Sequence, residues 1–366
     1  MAPTMKKIIL LLTVIINICM KSNAQQLLEV ASFEKNQPIG VTVSPVSNRL
    51  FVSFPKHEPY LYGLTEIVNG KRKAFPDLEW NKIDSINTQN HFVNVQDLYA
   101  DKNNFLWVLD SKPSGGSSVF GDSGKSKTGQ FKLLKIDLKT NKVVRIYEFD
   151  DLPKDKSGLN DLVVDTDKDL AYLSDPGLSA LVVLDLKSGK SRVVLEKDQS
   201  TIAQPNFVLK LDGIDVVDDK GKPFNSNVNG IALTKDNKYF YFRAINQTKL
   251  YRIATAFLAD DKLSKEELSK KVELVAETGV CHGMIADQKG NIYLSSSPDY
   301  SIKYVSPDGK LHTLVTDKRL SWPDSFGIGT DGFLYLSCSQ LNRLPKYNKG
   351  NDRTAYPYRV YKVKLP

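Results

Sequence analysis

A short apolar, aromatic, apolar phrase recurs six times along the chain: Leu50-Phe51-Val52, Leu106-Trp107-Val108, Ala171-Tyr172-Leu173, Phe240-Tyr241-Phe242, Ile292-Tyr293-Leu294 and Leu334-Tyr335-Leu336. Four copies end on a serine, at Ser53, Ser174, Ser295 and Ser337. A second apolar, β-branched run stands upstream of each copy, such as Val41-Thr42-Val43 or Leu162-Val163-Val164, and a polar turn such as Lys235-Asp236-Asn237 separates the two. Short apolar runs bounded by turn residues are buried strands, and two in succession form a hairpin. The central aromatics lie 56, 65, 69, 52 and 42 residues apart, too irregular for a tight solenoid but suited to propeller blades with variable outer loops. The pattern therefore predicts an all-β fold, a six-bladed β-propeller with four-stranded blades around a central channel.

Outer hairpins follow from the same alternation. Phe131 to Leu138 turns through Lys139-Thr140-Asn141-Lys142 into Val143 to Tyr147, Leu181 to Leu186 turns into Ser191 to Leu195, and Ile302 to Val305 turns through Pro307-Asp308-Gly309 into Leu311 to Val315. A ring must also close. The strand-like stretch Leu27 to Phe33 is expected to pair beside Tyr358 to Val363, which would hide both edges. One helix is expected where Ser264-Lys265-Glu266-Glu267 has the spacing of a capping box, in an outer connection of the fourth blade.

The chain has 366 residues, 41% hydrophobic and 10% aromatic, enough to bury a large core. Length alone would suggest two or three domains, but the repeats argue for one, over 25–366. The formal charge of +8 falls to +5 without the N-terminal segment, which holds Lys6, Lys7 and Lys21 and no acids. Charges are well mixed elsewhere, so nucleic acid is not an expected partner. The N-terminus reads as an export signal over 1–24: Lys6-Lys7, an apolar stretch over 8–20, then Ser22-Asn23-Ala24 before a cut at Gln25. The stretch is short for a membrane span. A secreted or periplasmic protein with no stable membrane insertion is the expectation. Cys281 and Cys338 then remain, either as a disulfide or, the preferred reading, as two buried free thiols.

Two further motifs are set aside. Gly121-Asp122-Ser123-Gly124 resembles the nucleophile region of trypsin-like proteases, but Lys125 follows and no matching His and Asp contexts occur. Gly124-Lys125-Ser126 resembles the end of a phosphate-binding loop, yet Val119 stands where its first glycine belongs. Both fall in an expected surface loop over 113–129.

The chemistry is expected at the axis. In a propeller the innermost strands start around the channel, so the residues just before them converge on one mouth. Here these are Pro38-Ile39-Gly40, Asn94-Val95-Gln96-Asp97, Asn160-Asp161, Asn229-Gly230, His282-Gly283 and Asp324-Ser325-Phe326. Amides, carboxylates and an imidazole aimed at one spot bind a hard cation or orient a small polar ligand. Asn and Asp also cap strand ends and turns without further function.

Several stretches carry a resemblance: Asn48-Arg49-Leu50-Phe51-Val52-Ser53-Phe54-Pro55, Leu106 to Asp110, Leu159 to Asp165, Asn246 to Arg252 and Trp322-Pro323-Asp324-Ser325. In this order they resemble the yellow and major royal jelly protein family. That resemblance implies a secreted six-bladed propeller, in a family whose insect members are linked to dopachrome chemistry or bind biogenic amines in the channel. A more distant likeness is to the calcium-dependent lactone hydrolases of the senescence marker protein and gluconolactonase group, through Asn160-Asp161 and Asn229-Gly230-Ile231. Where those enzymes carry two carboxylate ligands, this chain reads Gln37-Pro38-Ile39-Gly40 and Cys281-His282-Gly283.

The expectation is a propeller that binds a small polar or aromatic molecule in its channel. Trp322 and Phe326 would form an apolar wall, with Asn94, Asn160, Asn229 and Asp324, beside Asp161 and His282, orienting the ligand. The alternative is a lactone hydrolase or dopachrome-type isomerase at the same channel, with His282 or Asp161 as base. No cofactor is expected to be required. A divalent metal would bind weakly, through Asn160 and Asn229, with His282 shifting preference toward transition ions. Oligomeric state is left open.

Overall fold

The computed structural model describes residues 25–84, 86–114 and 128–366. The expected export signal and most of the 113–129 loop lie outside the described residues. Six antiparallel four-stranded sheets form a six-bladed β-propeller. Each recurrent phrase is the second strand of a blade, as in Leu50–Ser53, Phe105–Lys112, Leu170–Asp175, Tyr239–Ala244, Ile292–Ser296 and Phe333–Cys338. These strands read as continuous apolar runs because a neighbouring blade covers each face. Phe51, Tyr172, Phe240 and Tyr293 are accordingly almost fully buried.

The inner strands are Val41–Val43, Val95–Ala100, Leu162–Asp165, Val228–Leu233, Met284–Ala286 and Pro323–Ile328. In the sixth blade, Leu28–Ser32 pairs antiparallel with Arg359–Lys364, Leu28 opposite Lys362 and Ser32 opposite Arg359. An N-terminal strand thus completes the blade that the C-terminal strands build, which joins the ends of the ring, with Leu28–Ser32 as the outer edge strand of that blade.

The expected helix is Lys265–Ser269, with the Ser264 side chain accepting from the Glu267 amide and Glu267 reaching back to the Ser264 amide. A second short helix, Thr255–Ala259, was not expected; it has no side-chain cap and no acidic first turn. Cys281 and Cys338 are buried free thiols. Among the described residues, no helix is long and apolar enough to cross a membrane.

Candidate functional site

Three inner strands carry bulges where chemistry was expected. Pairing slips between Val95 and Asp97, between Val228 and Ile231, and between Pro323 and Phe326, in blades two, four and six. A bulge adds an unpaired residue and re-aims side chains. Gln96, Asn229 and Asp324 sit on these bulges and line the mouth. Asn229 and Asp324 therefore lie inside strands rather than just before them.

The phrase-ending serines fix this rim. Ser53 Oγ accepts from the Gly40 amide at 2.8 Å and donates to the Gln96 carbonyl of the next blade at 3.0 Å. Ser337 Oγ accepts from the Ser325 amide at 3.3 Å and donates to the Ile39 carbonyl at 2.5 Å. Ser174 Oγ takes the Asp161 amide at 3.1 Å, and Ser295 Oγ takes the His282 and Gly283 amides at 2.9 and 3.1 Å. Buried backbone groups at the axis are satisfied in this way. The close approach leaves no room for side chains at some points: a Cβ on Gly283 would lie 1.9 Å from the Asp324 carbonyl.

The mouth is a cavity of about 200 Å³ lined by Asn94, Gln96, Asn160, Asn229 and Asp324, with Ile39, Phe224, Trp322 and Leu341 as apolar wall. Its polar groups differ in freedom. Asn94 is clamped, its oxygen accepting from the Lys56 amide at 2.8 Å and its Nδ2 donating to the Ser111 carbonyl at 2.6 Å. Asn160 accepts from Gln96 Nε2 at 3.3 Å and donates to Asp161 Oδ1 at 2.7 Å. The Asn229 side chain makes no hydrogen bond with the described residues. Trp322 holds a left-handed backbone, φ 50°, a conformation costing a non-glycine residue about 1–3 kcal/mol. From there its indole Nε1 donates to Asp324 Oδ1 at 2.9 Å, and its ring meets Phe224 edge-on at 5.3 Å.

Below the mouth the channel is lined by Asp97, Asp161, Asp324 and Phe326, among others. Asp161 and Asp324 keep partial contact with this narrow space while protein encloses them, and Asp97 is buried. Loss of hydration raises all three carboxyls, Asp97 and Asp324 to about 7 and Asp161 well above its usual value. Mutual repulsion adds to this: Asp97 and Asp324 both raise Asp161, and Asp97 raises Asp324. Against it, Asp97 accepts the Leu162 amide at 2.9 Å.

His282 lies outside both cavities. Its ring stacks on Trp322 with centroids 4.0 Å apart, and both ring nitrogens are buried without a hydrogen-bond partner among the described residues. Burial first, then the Arg243 charge, lowers its pKa to about 3. It packs as a neutral brace behind Trp322, and the imidazole expected at the mouth lines neither cavity. Arg243 occupies the fourth-blade position where four other blades carry the serine and the second carries Leu109. Fully buried, it bonds Thr278 Oγ1 at 2.5 Å, the Gly279 carbonyl at 2.6 Å and the Gln247 carbonyl. Phe326 also departs from expectation: it lines the channel, below the mouth wall formed by Trp322.

These donors fit a tightly held divalent metal poorly. Asn160 is engaged by Gln96 and Asp161, Asp324 by Trp322, and Gln37 turns its Nε2 to the Ser339 carbonyl at 2.5 Å. The channel carboxyls favour their neutral forms, whereas Ca²⁺ sites are built on charged oxygens. Among the described residues, no three His, Cys, Asp or Glu side chains are grouped to hold a metal ion.

Sequence reasoning missed three contributors: the serine clamps, visible as the recurring phrase end; Arg243, visible as its exception; and Phe224, for which the sequence holds no signal.

Comparison with protein families matches the model described as Major royal jelly protein over residues 93–357. No curated protein sequence matches. Among solved structures, a luciferin-regenerating enzyme is similar with TM-score 0.55 at 14% identity, covering 93% of this chain and 95% of its own. A gluconolactonase from Xanthomonas campestris gives TM-score 0.55 at 12% identity, covering 93% and 90%. A streptogramin B lyase gives 0.52 at 13%, covering 94% and 98%. At these identities the likeness shows the fold.

Proposed function

Since the chain belongs to the major royal jelly protein family, we propose that it is an exported propeller that binds one compact polar or aromatic molecule at the axial mouth. The observation that carries this reading is the unengaged Asn229 amide, sharing a cavity of about 200 Å³ with the Trp322 and Phe224 rings. Size supports it: a cavity of about 150 Å³ takes benzene, so this mouth suits one substituted ring. An apolar wall with a few convergent polar groups is the usual build of a ligand site. Export rests on the N-terminal pattern over 1–24. No cofactor is required, and a divalent metal binds weakly at most.

Calorimetry with catechols, indoleamines and sugar lactones tests the reading. At least one should bind, and Asn229→Ala should weaken it about tenfold, the worth of one lost hydrogen bond in a dry site. Unchanged affinity throughout the panel would remove the mouth as the site.

A second reading is favoured by one observation, the Asp324 carboxyl near 7 at the junction of mouth and channel. A group poised near working pH suits general acid–base chemistry. On this reading Asp324 or Asp161 would take a proton from water attacking a lactone carbonyl, or from carbon in an isomerisation. Turnover that disappears in Asp161→Asn while binding survives would establish the enzyme. Absence of turnover across the panel leaves the binder.

A further inference from the structure

At the opposite end of the axis the channel opens into a bowl of about 560 Å³. Pro45, Tyr99, Ala100, Lys235 and Ile328 line both bowl and channel, so the two are continuous. Four lysines, Lys102, Lys235, Lys289 and Lys364, reach its wall. Two carboxylates stand there as well, but both are engaged by their own turns. Asp101 accepts from the Asn103 and Phe105 amides and from Trp107 Nε1, at 2.9, 3.0 and 2.8 Å. Asp287 accepts from the Lys289 and Asn291 amides, Asn291 Nδ2 and the Tyr293 hydroxyl, between 2.8 and 3.1 Å.

The lysines differ in the same way. Lys102 pairs with Asp167, Lys289 donates to a main-chain oxygen of Pro366 at 2.6 Å, and Lys364 donates to the Asp331 carbonyl at 2.8 Å. Lys235 has neither an ion pair nor a hydrogen bond among the described residues. Lys235 is exposed to water in the bowl, among whose walls it stands. Its pKa is lowered by lost hydration, with only the charge of Asp287 pulling it back. An ammonium without a partner gains a charge-assisted hydrogen bond from an anion brought to it. Val164, Ile328 and Leu365 supply apolar wall beside it.

We propose that this bowl is a second ligand site, distinct from the mouth, that takes a small organic oxyanion: a carboxylate or phosphate on a ring-sized apolar body, its charge on Lys235. Lys364, whose present partner is the neutral Asp331 carbonyl, stands ready as a further donor.

The test is calorimetry with benzoate, phenyl phosphate and, as the uncharged counterpart, benzyl alcohol. Saturable binding of at least one anion is expected, weakened at least about tenfold by Lys235→Met, kept in Lys235→Arg and untouched by Asn229→Ala. The benzoate and phenyl phosphate arms tell carboxylate from phosphate. Should Lys235→Met fail to fold, NMR of ¹³C-labelled lysine in the unaltered protein reads the same event, as one lysine titration that moves to higher pH with the anion. Binding lost in Asn229→Ala but not in Lys235→Met, equal binding of benzyl alcohol, no saturation up to about 10 mM, or no lysine titration moved by a bound anion would each overturn the proposal. The mouth reading stands or falls separately, on the Asn229 experiment.

Discussion

Asp324 joins the two parts of the site, since its carboxyl receives the Trp322 indole at the mouth and faces the carboxyls of the channel. With a folded pKa of about 7 against about 3.9 in an unfolded chain, it binds more protons folded than unfolded between roughly pH 4 and 7. Its contribution is therefore fully present below about pH 4 and is lost as pH rises through 7. Asp324→Asn keeps the oxygen that accepts from Trp322 and removes the charge. The variant should melt above the unaltered protein at pH 8 and converge with it at about pH 4. Thermal melts across that range check this, and parallel curves would contradict it. At this scale the sequence told which residue types gather at the axis but not which cavity each enters. Asp324 and Phe326 both line the channel, but with the bulge between Pro323 and Phe326 only Asp324 also reaches the mouth. Side-chain facing alternates residue by residue, so an unseen bulge reverses the assignment. His282 was misplaced for a related reason: its sequence position lies at the axis, but its ring turns back onto Trp322.

The hairpin is the unit in which most of the chain could be read, because a strand covered on both faces must be apolar throughout, and the phrase states this six times. The serine that ends it has a second role. Ser337→Ala removes an acceptor from the Ser325 amide and a donor from the Ile39 carbonyl, both near the axis. A loss of about 1–3 kcal/mol is expected for buried groups left unpaired, measured by urea unfolding. The exposed Ser188→Ala is the control and should fall within about 0.5 kcal/mol of the parent. Helices were legible only where a cap marked them. The capping box betrayed Lys265–Ser269, whereas Thr255–Ala259 begins after Ala254 with no side-chain cap.

Across the molecule, the ring is closed by Leu28–Ser32 on Arg359–Lys364 and apolar clusters pack between neighbouring blades, and on the proposed reading no metal at the centre is needed to hold them. The melting temperature should therefore change by no more than about 1 °C when EDTA is added, whereas removing a tightly held ion worth several kcal/mol would lower it by several degrees. Stoichiometric Ca²⁺ in protein purified without chelator, with a large fall in melting temperature on its removal, would restore a metal-dependent hydrolase. Axial symmetry explains why the channel could be foreseen while its contents could not. Six repeats dictate a central passage, but the ligand is chosen by bulges and by exceptions to the repeat, such as Arg243. The most direct measurement is a crystal structure with the tightest binder of the panel. Unbiased density is expected for one ring between Trp322 and Asn229, within hydrogen-bond distance of the Asn229 amide. Density for that compound elsewhere, with only ordered water at the mouth, would contradict it.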